Sequence, residues 1–499
     1  MNQSKNLVMN TFVNHILTYR LMLIGLLSLM AFSGCEGKEE FPDDPPVEPK
    51  DTVVATVYLT RGDQLKLFSK EADISIKPVQ TGSFPVITVD TSVTFQTIEG
   101  YGAALTGSSA YLLKRKMSNG ARNTLLRDLF DPETGIGISY LRLTMGASDF
   151  SLSNFSYSDP PAGQTDFDLQ YFSLSQDTLD VIPMAKEIVA IYPDMTYLGS
   201  PWSAPAWMKT NKDMVGGSLR TDSYSVYADY FVKYIQQMGQ EGIRIDAVTP
   251  QNEPLHSTAS YPCMDMQPIE QLNFIKDHLG PKLQVAGLDT KIITYDHNWD
   301  RPDYPITILN DPEAKQYVAG SAFHAYGGTV SAMTTVHNAH PDKGLYFTEI
   351  SGGGWATDFS ENLMWNMQNI FIGTAKNWSK NALLWNLALD ENDGPQNNGC
   401  GNCRGVVTIN SGSGVVTKNV EYYALAHFTK FVRPGAVRIS TMLPQGLNNI
   451  DAVSFQNADG KIVMVAVNSS SENKVFSIKQ NKKYMAYTLP AKSVVTIAW

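Results

Sequence analysis

Two glutamates in this sequence are placed to work as a pair. Glu253 stands in "AVTPQNEPLH" (247–256), where a β-branched run meets a proline and then an acid held between turn-forming residues. Glu349 ends "LYFTEIS" (345–351) in the same manner. One carboxylate at a strand end is ordinarily solvated or caps the following helix. Two facing each other are what cleavage of a glycosidic bond requires: one protonates the leaving oxygen, the other attacks the anomeric carbon or activates water. A separation of about 5 to 5.5 Å would make the second a nucleophile and retain configuration.

Other apolar runs end on residues of matching character. They present Asp149 in "GASDFS", Trp202 in "SPWSAPAW", Asn252 beside Glu253, His324 and Tyr326 in "FHAY", and Trp385 in "LLWN". Indole and phenol faces cover the apolar faces of a pyranose, while carboxylates and amides take its hydroxyls. Arg142, in "YLRLT", can pair with the nucleophile and keep it ionised. Asn252 can hold the sugar 2-OH, a hydrogen bond that strengthens in the transition state.

These residues need a scaffold that brings strand ends together. Strands are expected at "QTIEGYGAA", "GISYLRLTMG", "TYLGSPWSAP", "DAVTPQNEP", "KIITYDHNW", "GSAFHAYGG", "LYFTEISGG" and "NALLWNLALD". Amphipathic helical patterns such as "DTLDVIPMAKEIVAIYP" and "DSYSVYADYFVKYIQQMGQEG" lie between them, the latter expected to start after Asp222 and end at Gly239. Strands alternating with helices imply a parallel sheet, and eight such units imply a (β/α)8 barrel over residues 92–432, with active groups at the C-terminal strand ends. Glu253 and Glu349 then sit three units apart. The flanks alternate with period two, as in "TVYLT", "KIVMVAVN" and "SVVTIAW". They predict an antiparallel β-sandwich built from both chain ends, residues 53–91 and 433–499. The fold class is therefore α/β, a TIM barrel with an attached sandwich.

The chain has 499 residues, 43% hydrophobic and 18% charged, enough for a large core. Its 49 acidic and 39 basic residues leave a net charge of −10, which speaks against a nucleic-acid partner and is compatible with a neutral carbohydrate. The eight histidines form no HExxH and no paired Cys-His cluster of zinc spacing, so neither a metal nor another cofactor is expected.

A polar lead precedes "LMLIGLLSLMAF", too short to span a bilayer but suited to a signal segment, and "SGC" follows it. This resembles a bacterial lipoprotein signal (residues 1–35) with Cys35 as the acylated residue; an ordinary secretory signal shares the same layout. Phe32 stands where leucine is usual. "EGKEE" and the proline-stiffened "FPDDPPVEPKD" make residues 36–52 a tether. The expected location is the outer membrane or cell surface of a Gram-negative bacterium, with the periplasm as alternative and a lipid anchor as the sole membrane contact. Cys400 and Cys403 form a CxxC within "DGPQNNGCGNCRG". Such a pair can be redox-active, metal-binding or structural; with no second CxxC, a small structural disulfide in an oxidising compartment is preferred.

The ordered set "IEGYGAALTGSSA", "YLRLTMGASDFS", "GSPWSAPAWMKTN", "AVTPQNEP", "AFHAYGG", "YFTEIS", "WNLALDENDGP" and "HFTKFVRPGAVRI" resembles glycoside hydrolase family 30, the family of glucosylceramidase and β-1,6-glucanases. The resemblance implies Glu253 as acid/base, Glu349 as nucleophile, and Asp149, Trp202, Asn252, Tyr261, Tyr326 and Trp385 lining the subsite of the transferred sugar. "GYGAALT" has alanine where the family often has glycine, and "SGGGW" after "TEIS" is also a departure. The "GCGNC" insertion resembles the β-1,6-glucanase branch. The expected activity is thus a retaining β-1,6-glucanase. Alternatives are a glucosylceramidase or β-glucosidase, a xylan-directed enzyme, and a non-catalytic surface glycan-binding lipoprotein. Loss of one glutamate would be expected of the last, and both are present.

Overall fold

Eight apolar runs become eight parallel strands: β1 Gly100–Leu105, β2 Tyr140–Thr144, β3 Thr196–Ser200, β4 Ala247–Val248, β5 Lys291–Asn298, β6 Val318–His324, β7 Gly344–Glu349 and β8 Asn381–Leu384. The computed structural model describes Val54–Trp499; the lead, Cys35 and the tether lie outside the described residues. Each strand pairs with the next from β1 to β7, and β8 pairs with β1. The β7–β8 seam is closed by Lys380 N–H to Leu345 O and Trp385 N–H to Ile350 O, both 2.8 Å. Between them the Asn381 side chain accepts from Phe347 N–H at 2.8 Å. The strands are buried on both faces, which is why they read as near-continuous apolar runs.

Period-two alternation sorts the barrel interior into rows. Tyr140, Leu198, Ala247, Ala322, Tyr346 and Leu383 form an apolar cluster, all but fully buried. Two residues further along the same strands stand Arg142, Ser200, Thr249, His324, Thr348 and Trp385. Two bulges near the C-terminal strand ends disturb the count. Between β5 and β6, Ala322 pairs with Tyr295 but Phe323 pairs with His297, so Asp296 is an extra residue. Between β6 and β7, Phe323 pairs with Phe347 but His324 pairs with Glu349, so Thr348 is extra. Tyr295 and Asp296 both take positive φ, 75° and 68°. Tyr295 packs on Tyr304 and Phe323 of the outer core, and Asp296 is turned in among the polar row.

The helix expected from Asp222 to Gly239 runs Tyr224–Gln240 after a short 3-10 turn, Thr221–Ser223. The other quoted helix forms as Val181–Ile191.

Both chain ends build the second sheet system. Val54–Arg61 pairs antiparallel with Ser493–Ala498, and Val86–Thr97 pairs antiparallel with Val437–Met442. Two features differ from expectation. Val86–Thr97 also pairs in parallel with Lys474–Gln480, so the sandwich is not wholly antiparallel; strands from opposite chain ends need no hairpin to meet. The boundary expected between 91 and 92 falls inside Val86–Thr97, because the alternation continues through "TSVTFQT" before β1 begins.

Strand Ile462–Asn468 is buried on both faces. Ile462, Met464 and Ala466 join the sandwich core, whereas Val463, Val465 and Val467 join the core of the barrel helix Val420–Thr429. His427 of that helix lies between Thr496 Oγ1 and Thr60 Oγ1, each 2.8 Å from a ring nitrogen. Burial pulls its pKa down to about 3, so it stands there as neutral imidazole.

Candidate active site

Asp296 anchors the polar row. Its Oδ2 accepts from Ser200 Oγ (2.8 Å), Thr249 Oγ1 (2.7 Å) and Arg142 Nη2 (2.8 Å). Its Oδ1 accepts from Thr348 Oγ1 (2.6 Å) and faces His324 Nε2 (3.0 Å). Burial alone would raise this carboxyl, but Arg142, His324 and Thr348 together hold it far below the usual carboxylate range. Asp296, Ser200, Thr249 and Thr348 are not among the residues expected at the site from their motifs. The available signal was the acid in "YDHNW" at a strand end.

Arg142 is wholly buried and reaches upward from Asp296. Its Nη1 donates to Glu349 Oε2, and its Nη2 to Asn252 Oδ1 at 2.7 Å. The guanidinium lies 4.8 Å from the Trp202 ring and 5.5 Å from the Trp385 ring. Those two indoles stack at 4.9 Å with 19° between planes.

Pro250 breaks the β4 ladder after two residues, since it has no N–H to donate. The chain then turns back: Asn252 N–H donates to Pro201 O (2.8 Å) and Glu253 N–H to Asp296 O (2.9 Å). These bonds hold Glu253 at φ +42°, a costly conformation for a side chain other than glycine and of a kind concentrated at functional sites. Glu253 Oε1 lies 3.0 Å from His324 Nδ1 and 3.9 Å from His297 Nε2. Tyr326 OH donates to Glu349 Oε1 at 3.0 Å. One oxygen of each glutamate and a His324 nitrogen lie within 4.8 Å of one another. That is the close spacing of retaining sites; inverting pairs stand about 6.5–9.5 Å apart to admit a water.

The trio is compact enough to suggest a metal, but its chemistry points elsewhere. Burial would lower His324, yet Glu349, Asp296 and Glu253 raise it to about 9. A protonated ring with both nitrogens facing carboxylates has no lone pair to offer.

Above these groups is a cavity of about 370 Å³, lined by Asp149, Trp202, Asn252, Tyr261, Tyr326 and Trp385 together with both glutamates. The residues expected at the sugar subsite therefore meet in one place, with Arg142 and His324 beneath. Burial pushes the Asp149 carboxyl well up, and the Glu349 and Glu253 charges push it further. Its Oδ1 is buried and unpaired within the protein, suited to a sugar hydroxyl. Tyr261 OH is 2.9 Å from His256 Nε2. His256, His297 and Trp355 also line the cavity and were not foreseen.

Cys400 and Cys403 are joined as a disulfide and form part of the wall; Cys263 is free and buried. Gly399 sits so near Asp149 that a Cβ would fall 2.6 Å from its Cβ. Asn397 N–H donates to Asp149 O at 2.7 Å. Cys403–Arg404 pairs with Gly352–Gly353, just past Glu349, and Arg404 forks onto Glu421 at 3.1 and 2.6 Å. The loop thus spans from the tip of β2 to the tip of β7.

The model of the glycosyl hydrolase family 30 TIM-barrel domain matches residues 98–432, and that of the family 30 beta sandwich domain matches 435–497. The chain belongs to glycosyl hydrolase family 30. This family 30 chain is 37% identical to an endo-1,6-beta-D-glucanase of Neurospora crassa, over 76% of its own length and 80% of that protein. It is 28% identical to lysosomal acid glucosylceramidase of Mus musculus, over 86% and 87%. A solved endo-beta1,6-glucanase superposes with a TM-score of 0.84 at 37% identity, covering 89% of this chain and 99% of that one. The protein is a glycoside hydrolase, and retention of configuration is the mechanism of its family.

Proposed function

We propose that this enzyme hydrolyses β-1,6-glucan with retention, Glu349 acting as nucleophile and Glu253 as acid and then base. The close approach of the two carboxyls carries this reading. In the first step the Glu349 carboxylate attacks the anomeric carbon while Glu253 protonates the departing glycosidic oxygen. A glycosyl ester on Glu349 results. In the second step Glu253 takes a proton from water as the water oxygen attacks the same carbon, and the ester bond to Glu349 breaks. Two inversions restore the starting configuration.

The surroundings support that division of labour. Arg142, bound to Glu349, cannot release a proton at any working pH. His324, bound to Glu253, can. At Glu253, burial is outweighed by the hydrogen bond and charge of His324 and by His297 and His256, which hold it down to about 2. Burial pushes Glu349 up, with Glu253 repelling it, against the pull of His324 and Arg142. His324 Nδ1, 3.0 Å from Glu253 Oε1, is placed to pass a proton to that carboxylate.

The linkage is supported by the likeness to endo-1,6-beta-D-glucanases and by the polar, Gly-rich, disulfide-pinned loop over Asp149. That wall suits sugar hydroxyls better than acyl chains. Placement at the cell surface rests on the lead sequence to Cys35 alone. The test is kcat/KM on a β-1,6-gluco-oligosaccharide against glucosylceramide in detergent. The oligosaccharide should be preferred by at least about a hundredfold, a discrimination that hydroxyl-reading sites reach. Equal or higher efficiency on the lipid would make the enzyme a glucosylceramidase and leave the roles of the glutamates standing.

A further inference from the structure

Next to the sugar cavity opens a second hollow, of about 550 Å³. Tyr326 and Trp355 line both spaces, so the two are continuous at the residue that hydrogen-bonds Glu349. Ile350 and Met364 also line the second hollow, together with Trp365 and Gln368. Trp355 is 57% exposed, Trp365 42% and Tyr326 46%. Three large aromatic rings facing solvent around one hollow form the kind of patch that marks a contact site.

Trp355 is held in place. Gly352–Gly353, two residues before it, is paired with Cys403–Arg404. Gly353 lies so close beneath the indole that a Cβ there would fall 2.2 Å from the ring. Past Trp355, Ala356 N–H donates to Gly353 O at 3.1 Å, and Asn362 Nδ2 donates to Ala356 O at 2.7 Å. Trp365 ends the helix Phe359–Trp365, which is capped by Asp358 and tied to the sandwich by Lys492 Nζ to Glu361 Oε1 at 3.0 Å. Both indoles are thus presented by backbone that is already ordered, so a ligand need not order it.

The direction of a bound glucan follows from the walls. One side of the first cavity is closed by the Trp202–Trp385 stack, Asp149 and the disulfide loop. A sugar seated there for attack by Glu349 would direct the bond to be cut toward the space that Tyr326 and Trp355 share with the second hollow. We infer that the second hollow receives the leaving-group side of the chain, glucosyl units beyond the cleaved bond, with Trp355 and Trp365 lying against their apolar faces. This rests on the β-1,6-glucanase reading and adds to it: recognition on this side makes cleavage internal and length-dependent.

The test uses the full chain and β-1,6-gluco-oligosaccharides of two to six units labelled at the reducing end. Wild-type kcat/KM should rise with length, and cleavage should leave the label on fragments of two or more units. Trp365→Ala should lower kcat/KM on the longest substrate by roughly tenfold, what burying one sugar face against an indole is worth. It should change the dimer little and move the cut toward the reducing end; Trp355→Ala, at the junction of the two spaces, should lower kcat/KM on the longest substrate more strongly and shift the cut in the same direction. Labelling of Glu349 by 2-deoxy-2-fluoro-β-glucosyl fluoride, whose leaving group is not a sugar, should be unchanged in Trp365→Ala. An active wild type with the same length dependence and cleavage pattern in both variants overturns this subsite alone. A wild type inert on all these oligosaccharides overturns the substrate reading and the subsite with it.

Discussion

Glu349→Gln and Glu253→Gln each lower kcat on β-1,6-glucan by about a thousandfold or more, in the range that loss of an acid/base or nucleophilic group produces. Both substitutions preserve shape. The amide oxygen at 349 can still accept from Arg142 and at 253 from His324, so thermal stability should move little. The two variants part on substrates with different leaving groups. Fluoride needs no proton, so Glu253→Gln should still be glycosylated by an activated glucosyl fluoride, whereas Glu349→Gln should not react. Azide should sharpen the distinction. With Glu349→Gly it attacks the sugar directly and gives the inverted glycosyl azide; with Glu253→Gly it attacks the ester intermediate and gives the retained one. More than about a tenth of wild-type activity in either Gln variant would contradict the mechanism, since the two-carboxylate pathway has no spare group.

Asp296→Ala is expected to destabilise the barrel by about 3 to 5 kcal/mol, the usual cost of removing one partner of a buried ion pair. The reason is what it leaves behind. Arg142 stays wholly buried with its lower carboxylate gone, and Ser200, Thr249 and Thr348 lose their shared acceptor. His324 loses the charge that faces Nε2, so its pKa should fall from about 9 toward the ordinary histidine range, which NMR titration of the ring would show. Activity should fall with it, because Arg142 orients Glu349 and Asn252. Asp296→Asn keeps the volume and part of the bonding and should lie between. Asp296→Ala unfolding within about 1 kcal/mol of wild type would show that the polar row is not held together by this carboxylate.

The eight barrel strands and the two glutamates were legible because each strand is a buried run stopped by a turn signal, and each site motif falls at such a stop. Even β4, only two residues long, was visible through "AVTP", where apolar residues meet a proline. Asp296 was hidden by its bulge. Counting inward positions from Ile293 by twos selects Tyr295, and only the extra residue at positive φ turns Asp296 in instead. Thr348 lies on the regular count from Tyr346, but a threonine in a β-branched and aromatic run carries no signal of a site. The pairing of Gly352–Gly353 with Cys403–Arg404 joins segments about fifty residues apart, with no periodicity in either. It is this contact that seats Trp355 at the cavity, so the departure "SGGGW" could be noticed in the sequence but not given a place. The sandwich boundary was misplaced because Val93 and Phe95 are the only apolar residues in "TSVTFQT", too weak an alternation to extend the strand by itself, while its ladder to Val437–Met442 is visible only in three dimensions.

The double displacement proposed for Glu253 and Glu349 on a β-1,6-linked glucan fixes which anomer is released first, and proton NMR of the new reducing end during the first minutes of hydrolysis of a β-1,6-gluco-oligosaccharide, before mutarotation, reads it. The β-anomer should accumulate first and then relax toward equilibrium; first appearance of the α-anomer would contradict the mechanism.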